Sequence, residues 1–183
     1  MWKTRPSEIG QMISYQYSTG GGAKYQHNCF PRAVAIATNR SYRTVLAEIN
    51  KISRKFWINT YAEDNEIPVT AATELIDAAY EHSTYIRKTI QCQHGTANPV
   101  LEEWLAKNGW GYLEINSKLT DLTKDEIQEI IDWGTVMIHS YGDNGNHIAT
   151  MIDGVIYDTW DSRSTPDRED LFIGRIYVQA ENN

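Results

Sequence analysis

The chain has 183 residues and 41% of them are hydrophobic, which suffices for one core and requires no second domain. Its 17 Lys and Arg stand against 24 Asp and Glu, so the net charge of −7 argues against a non-specific nucleic-acid partner. No stretch approaches the roughly 18 apolar residues of a membrane-spanning helix. With only Cys29 and Cys92, a disulfide framework is missing as well. We therefore expect one domain over residues 1–183, with free thiols, in the cytoplasm, and with neither a membrane nor a nucleic-acid partner.

The first 25 residues show no regular hydrophobic period, so they are predicted to be irregular or flexible. No apolar stretch follows the basic residues at the start, which excludes a secretory signal. The glycines at 20–22 are followed by Ala-Lys-Tyr and not by the Gly-Lys-Ser/Thr of a phosphate-binding loop. No nucleotide or other cofactor is therefore implied.

A buried helix of about ten residues is predicted to begin at Cys29, because apolar residues follow it with the i, i+3, i+4, i+7 spacing. Asn28 is placed to cap this helix, and Pro31 suits its first turn. Similar patterns predict further helices from Ser41, Pro68, Asn98 and Thr123, and short strands over 84–88 and 111–115.

The hydrophobic period changes to two after Gly134, which indicates strands. They are predicted over 135–139, 147–152, 155–160 and 172–178. Strands that follow a run of helices indicate an α+β fold, with N-terminal helices packed on a C-terminal antiparallel sheet.

A two-residue turn at Asp153-Gly154 gives the strongest local signal, since this dipeptide favours a tight β-hairpin. In that register Ile152 pairs with Val155, Ala149 with Asp158, and His147 with Trp160. Paired and alternate residues share a face, so His147 and Asp158 become diagonal neighbours about 7 to 8 Å apart. An imidazole and a carboxylate can span that gap.

Cys29, His147 and Asp158 are one candidate each for a nucleophile, its base and the group that orients the base. A helix start and a neighbouring imidazolium both lower the pKa of a thiol. The backbone N–H of Cys29 is a candidate donor to an oxyanion. For the second donor we consider Gln26 and Asn28, and favour Gln26 because Asn28 is expected to cap the helix.

The order of these residues resembles that of papain-like cysteine peptidases. Their last element reads Asn-Ser-Trp where this chain reads Asp158-Thr159-Trp160, and the resemblance gives Trp160 the role of shielding the contact between His147 and Asp158. The segment from Asn28 to Ala33, Asn-Cys-Phe-Pro-Arg-Ala, is similar to the Asn-Cys-Leu-Phe-Arg-Ala signature of ovarian-tumour-type deubiquitinases. The whole chain resembles small papain-like proteins encoded by bacteriophages, which implies the host cytoplasm.

This resemblance implies a papain-like fold and a thiol hydrolase that acts on a peptide or isopeptide bond of a protein or peptide substrate. Two departures keep alternatives open. Papain carries its oxyanion glutamine six places before the Cys, where this chain has Ala23. Asp in place of Asn occurs in transglutaminase-like relatives, which favours an acyltransferase as one alternative; an inactive binding module that engages a host protein is the other.

Simpler interpretations exist for single residues, because a lone Cys on an apolar helix is usually part of the core. His139 is an alternative base, whereas His27 is disfavoured because residues i and i+2 of a helix do not face each other. Asp161 competes with Asp158. No metal site is predicted, since Cys92 and the nearby His at position 94 lack a second pair of ligands.

Overall fold

Six α-helices and six strands form the secondary structure of the part of the chain that the computed structural model describes, residues 12–21, 28–92, 95–142, 145–159 and 172–180. The helices are α1 (Cys29–Ala37), α2 (Tyr42–Asp64), α3 (Val69–His82), α4 (Thr84–Ile90), α5 (Asn98–Lys107) and α6 (Lys124–Asp132). The strands are β1 (Ser14–Tyr17), β2 (Trp110–Lys118), β3 (Thr135–Gly142), β4 (Gly145–Ile152), β5 (Val155–Asp158) and β6 (Phe172–Gln179). The α+β class is therefore confirmed.

The strands form one sheet in the order β1-β5-β4-β3-β6-β2. All neighbours are antiparallel except β1, which runs parallel to β5. The expectation of a purely antiparallel C-terminal sheet is thus wrong: the sheet is mixed, and its β1 edge comes from the N-terminal segment.

Strand β1 also corrects the prediction that residues 1–25 are irregular, because it lies within that range. Ser14 donates its backbone N–H to the carbonyl of Gly154 at 2.9 Å, and Ile13 is buried. Four residues are too few to show a period, and the strand forms because β5 offers it an edge. Residues 1–11 and 22–27 lie outside the described part of the chain.

Two local predictions about helices are wrong. Residues 84–88 belong to helix α4, because the side chain of Ser83 accepts a hydrogen bond from the N–H of Ile86 and Ile90 is buried against neighbouring helices. Asn28 precedes α1 but makes no capping hydrogen bond with its side chain. In the described part of the chain, none of the helices combines the length and apolar character needed to cross a bilayer.

Other local predictions are confirmed. Thr123 and Glu126 form a reciprocal capping box at the start of α6. Asp153 and Gly154 both have positive φ, at 49° and 78°, as a type I′ turn requires, and Ile152 pairs with Val155 as expected.

The sheet buries both of its faces. On one face Met137, Ile148 and Tyr177 pack against α1, α2 and α5, and on the other Ile138, Ala149 and other aliphatic residues pack against α6. A third apolar cluster joins α2, α3 and α4. Helix α1 therefore packs on one face of the sheet, against β4.

Candidate active site

Cys29 is the first residue of α1, and two contacts fix this helix against its neighbours. Thr150 on β4 donates its hydroxyl to the carbonyl of Ala33 at 2.6 Å, and the ring of Phe30 meets Trp104 of α5 edge-on at 5.9 Å. The predicted helix start at Cys29 is confirmed. As the first helical residue, Cys29 has a backbone N–H without an acceptor inside the helix, as oxyanion binding requires.

The thiol of Cys29 lies beside Ile148 of β4, before the residues of this strand that pair with β5 in the described part of the chain. The last pair of that ladder is Thr150 with Tyr157, and the expected pair of Ala149 with Asp158 is not part of it. The backbone N–H of Ile148 donates to the sulfur, and strand N–H groups point along the sheet plane. Helix α1 packs on the face of Ile148 and Thr150, opposite the one that Ala149 shares. The hydrogen bond from Ile148 places the sulfur next to His147, the preceding residue of β4.

His147 forms hydrogen bonds with both other members of the predicted triad. Its Nε2 contacts Oδ2 of Asp158, and its ring is also hydrogen bonded to the Cys29 thiol. Since Asp158 takes Nε2, Nδ1 is the nitrogen left for the sulfur. The side chains of His147 and Asp158 are 11% and 4% exposed, so water competes little for their bond. The structure thus brings Cys29, His147 and Asp158 together.

Asp158 is itself held from three sides. The N–H of Thr159 donates to Oδ1 at 2.6 Å, which leaves Oδ2 for His147. Its backbone carbonyl accepts from the N–H of Ser18 at 2.7 Å and from the hydroxyl of Tyr15 at 3.2 Å. The N-terminal strand β1 therefore positions the residue that orients the base, a role that the sequence did not indicate.

These contacts favour a thiolate and imidazolium ion pair. Burial raises the pKa of Cys29, but the hydrogen bond and charge of His147, the N–H of Ile148 and the charge of Arg32 together lower it below its usual value. Burial lowers the pKa of His147, yet its bonds to Asp158 and Cys29 raise it to about 9. Both shifts favour transfer of the proton from the thiol to His147.

Arg32 is a member of the site that the sequence reasoning missed. Its side chain is buried, and Nη1 donates to Oδ1 of Asn28 at 2.6 Å, while Nδ2 of Asn28 donates to the hydroxyl of Tyr42. These bonds explain why Asn28 does not cap α1, and they make it a supporting residue. The signal in the sequence is an arginine on the first turn of an otherwise apolar helix.

His139, the alternative base, lies beside the site but is used differently. It is buried, and its Nδ1 is hydrogen bonded to the hydroxyl of Tyr177 at 3.2 Å. Burial, the charge of Arg175 and the charge of His147 lower its pKa to about 4. At neutral pH His139 is therefore uncharged.

Cys92 is the other cysteine of the chain and serves as a comparison for Cys29. It is 1% exposed, and burial raises its pKa. Cys29 is only partly buried. The two thiols therefore differ in exposure and in the direction of their pKa shift.

Five candidate residues considered from the sequence lie outside the described part of the chain: Gln26, His27, His94, Trp160 and Asp161. The second oxyanion donor and the shielding role of Trp160 stay predictions. Comparison with family models, with curated proteins and with solved structures returned no match.

Proposed function

We propose that this protein is a thiol hydrolase with a Cys29, His147 and Asp158 triad. The observation that carries the proposal is the hydrogen bond between Cys29 and a histidine whose other nitrogen is held by a buried carboxylate. A nucleophile, a base and an orienting group in this arrangement are the requirements of covalent acyl transfer.

In the first half of the reaction the Cys29 thiolate attacks the carbonyl carbon of the substrate. A carbon–sulfur bond forms, and the carbonyl π electrons move to the oxygen, where the backbone N–H of Cys29 stabilises the negative charge. The tetrahedral intermediate collapses as the carbonyl re-forms and the carbon–nitrogen bond breaks, while the imidazolium of His147 gives its proton to the leaving amine. The products are a thioester on Cys29 and a free amine.

In the second half neutral His147 takes a proton from water, and the resulting hydroxide attacks the thioester carbonyl. The carbon–sulfur bond breaks, which releases the carboxylic acid and restores the ion pair. Asp158 accepts the hydrogen bond of Nε2 throughout and keeps Nδ1 aimed at the reacting atoms. The sequence resemblance to papain-like peptidases favours a peptide or isopeptide bond as substrate.

Selective alkylation tests the activated thiol without knowledge of the substrate. We expect iodoacetamide near pH 6 to modify Cys29 at least about 10²-fold faster than a thiol with an ordinary pKa. Mass spectrometry of the digested protein measures the extent of alkylation of Cys29 and of Cys92 in one sample. Because burial also slows Cys92, the matched reference is the denatured chain, in which both thiols are exposed. Slow modification of native Cys29, at the rate of denatured Cys29, would contradict the proposal.

Acyl-enzyme formation tests the chemistry beyond reactivity. An activated ester such as p-nitrophenyl acetate should give a burst of one nitrophenol per chain, and Cys29→Ala should abolish it while Cys92→Ala preserves it. Decay of the acyl-enzyme in water, compared with decay in the presence of an amine, separates a hydrolase from an acyltransferase. A folded Cys29→Ala variant with an undiminished burst would rule out Cys29 as the nucleophile.

A further inference from the structure

A cavity of about 540 Å³ opens between helices α2, α3 and α4, away from the candidate active site. We call it the helical groove; its walls include Trp57 and Tyr61 of α2, Leu75 of α3, and Tyr85 and Ile86 of α4. Aliphatic and aromatic side chains form most of this lining. A pocket of this size and character binds apolar groups.

The apolar surface continues beyond the cavity. Leu75 is 52% exposed and Tyr85 is 72% exposed, and Val69 at the start of α3 is 52% exposed. A small molecule inside the groove would leave most of these side chains in water. Clustered large hydrophobic side chains that face solvent are typical of a surface that binds another macromolecule.

Acidic side chains predominate on one part of the three helices, namely the end of α2, the turn after it and α3, whereas the nearest basic residues in sequence are Arg54 and Lys55 on α2 and Arg87 and Lys88 on α4. Residues 61–81 contain no Lys or Arg, and the acidic residues of this stretch are all exposed. They are Glu63, Asp64, Glu66, Glu74, Asp77 and Glu81. Asp64 lines the groove itself, whereas Asp77 is paired with Arg54. This acidic part of the surface favours a cationic occupant and disfavours anionic lipid surfaces and nucleic acids.

The three helices that form the groove offer no backbone edge to a partner, because helical N–H and C=O groups bond within the helix. A partner cannot add a strand here, as it would at a sheet edge. Recognition therefore depends on side chains, and an amphipathic helix presents apolar side chains along one face with charged ones beside it.

From these observations we infer that the helical groove binds an amphipathic helix of a partner protein, with aliphatic side chains in the groove and Lys or Arg facing the acidic residues. Helix α2 separates this surface from the proposed active site. Tyr42 at its start contacts Asn28 beside Cys29, and Trp57 lies 15 positions further along, roughly 22 Å at 1.5 Å per residue. The groove is therefore a separate recognition surface, and its test does not depend on the proposed function.

A synthetic helical peptide of about 18 residues tests the inference, with Leu at helical spacing and Lys at the other positions. The matched peptide carries Glu in place of each Lys. We expect fluorescence anisotropy against the full chain to show at least about tenfold tighter binding of the Lys peptide. Equal affinity for the two peptides, or no binding of the Lys peptide, would overturn the inference.

Variants locate the binding, since a basic peptide also attracts an acidic protein non-specifically. Leu75→Ser should lower the affinity for the Lys peptide at least about fivefold, and Asp64→Asn should lower it about threefold. Leu113→Ser is the matched control, because Leu113 is 45% exposed on β2 outside the groove; it should bind like the wild type. Both leucines are exposed, so these variants should keep their far-UV circular dichroism. Unchanged binding by folded Leu75→Ser would refute the groove as the site.

Two further experiments test whether a membrane occupies the groove and whether peptide binding depends on Cys29. Vesicles of phosphatidylcholine and phosphatidylglycerol should not retain the protein; retention that Leu75→Ser abolishes would replace the peptide with a membrane. Cys29→Ala should bind the Lys peptide like the wild type, whatever the outcome of the alkylation experiment. A loss of binding in folded Cys29→Ala would contradict the independence of the two sites.

Discussion

His139 and His147 lie on neighbouring strands of one sheet, yet their surroundings drive their charges in opposite directions. Burial lowers the pKa of both rings. His147 bonds to Asp158 and Cys29, which more than offset burial and raise its pKa to about 9, whereas His139 meets a hydroxyl and nearby positive charge and its pKa falls to about 4. The bonded partner, and not depth in the protein, decides which histidine carries a proton at neutral pH.

Substitution of each histidine in turn should have the largest effect, which is on the reactivity of Cys29. His147→Ala should slow alkylation of Cys29 near pH 6 by about 10²-fold, because the thiol loses its imidazolium partner and its pKa returns to or above about 8.5. His139→Gln should change that rate by less than about threefold, since His139 has no hydrogen bond to the thiol among those that lower its pKa. The rates are measured by iodoacetamide labelling and mass spectrometry. Equal slowing by both substitutions would place the two histidines in one functional unit.

The lowered pKa of His139 should make the free energy of unfolding fall as the pH is lowered. Its pKa is lower in the folded protein than in the unfolded chain, so its contribution is present above about pH 6.5 and is lost as the pH falls through about 4. Between about pH 7 and pH 5, wild type should lose about 2 kcal/mol more unfolding free energy than His139→Gln.

Urea unfolding at the two pH values gives the pH-dependent loss of unfolding free energy for each protein. Subtracting the loss in His139→Gln from that in wild type cancels the opposing contribution of His147, which both proteins contain. The exposed His82, replaced in His82→Gln, is the control for loss of a histidine in general. The same acid dependence in wild type and His139→Gln would show that His139 is not held uncharged by the fold.

The smallest expected effect is that of Asp158→Asn on the pKa of His147. Asp158→Asn keeps an oxygen that accepts from Nε2 but removes the negative charge, so the pKa of His147 should fall from about 9 by at least about one unit. The direction follows because a carboxylate stabilises the imidazolium and an amide does not. NMR titration of the histidine ring measures the shift, and the alkylation profile of Cys29 should move to higher pH with it.

Asp153→Asn is the matched control for that experiment. Asp153 lies in the hairpin turn at positive φ, a conformation that Asn tolerates, so the fold is preserved while the same charge is removed. This variant should leave the His147 titration unchanged. An unchanged titration in Asp158→Asn as well would show that the carboxylate does not set the proton affinity of the ring.

The parts of the site that follow local rules could be predicted from the sequence. The Asp153-Gly154 turn fixed the start of the hairpin register, and the apolar spacing after Cys29 located the helix start. Both depend on contacts between residues close in the chain, where turn and helix preferences are decisive. The proximity of His147 and Asp158 followed from these rules alone.

Other features depend on long-range packing and could not be predicted in this way. Asn is a residue type that often caps helices, but the side chain of Asn28 is hydrogen bonded to the buried Arg32 and to Tyr42 instead. The sequence left open which face of β4 helix α1 packs against, because turn and helix preferences do not fix contacts between distant elements. Strand β1 forms only because β5 accepts it, and β5 lies more than a hundred residues later.

That late pairing also sets the order in which reactivity arises during synthesis. Cys29 leaves the ribosome before its base and before Asp158, whose carbonyl the N-terminal strand holds through Ser18 and Tyr15. Closing so large a loop is slow relative to forming a local helix. A nascent chain that ends before His147 therefore lacks the imidazole partner of Cys29, and the thiol, imidazole and carboxylate come together only after Asp158 has been synthesised.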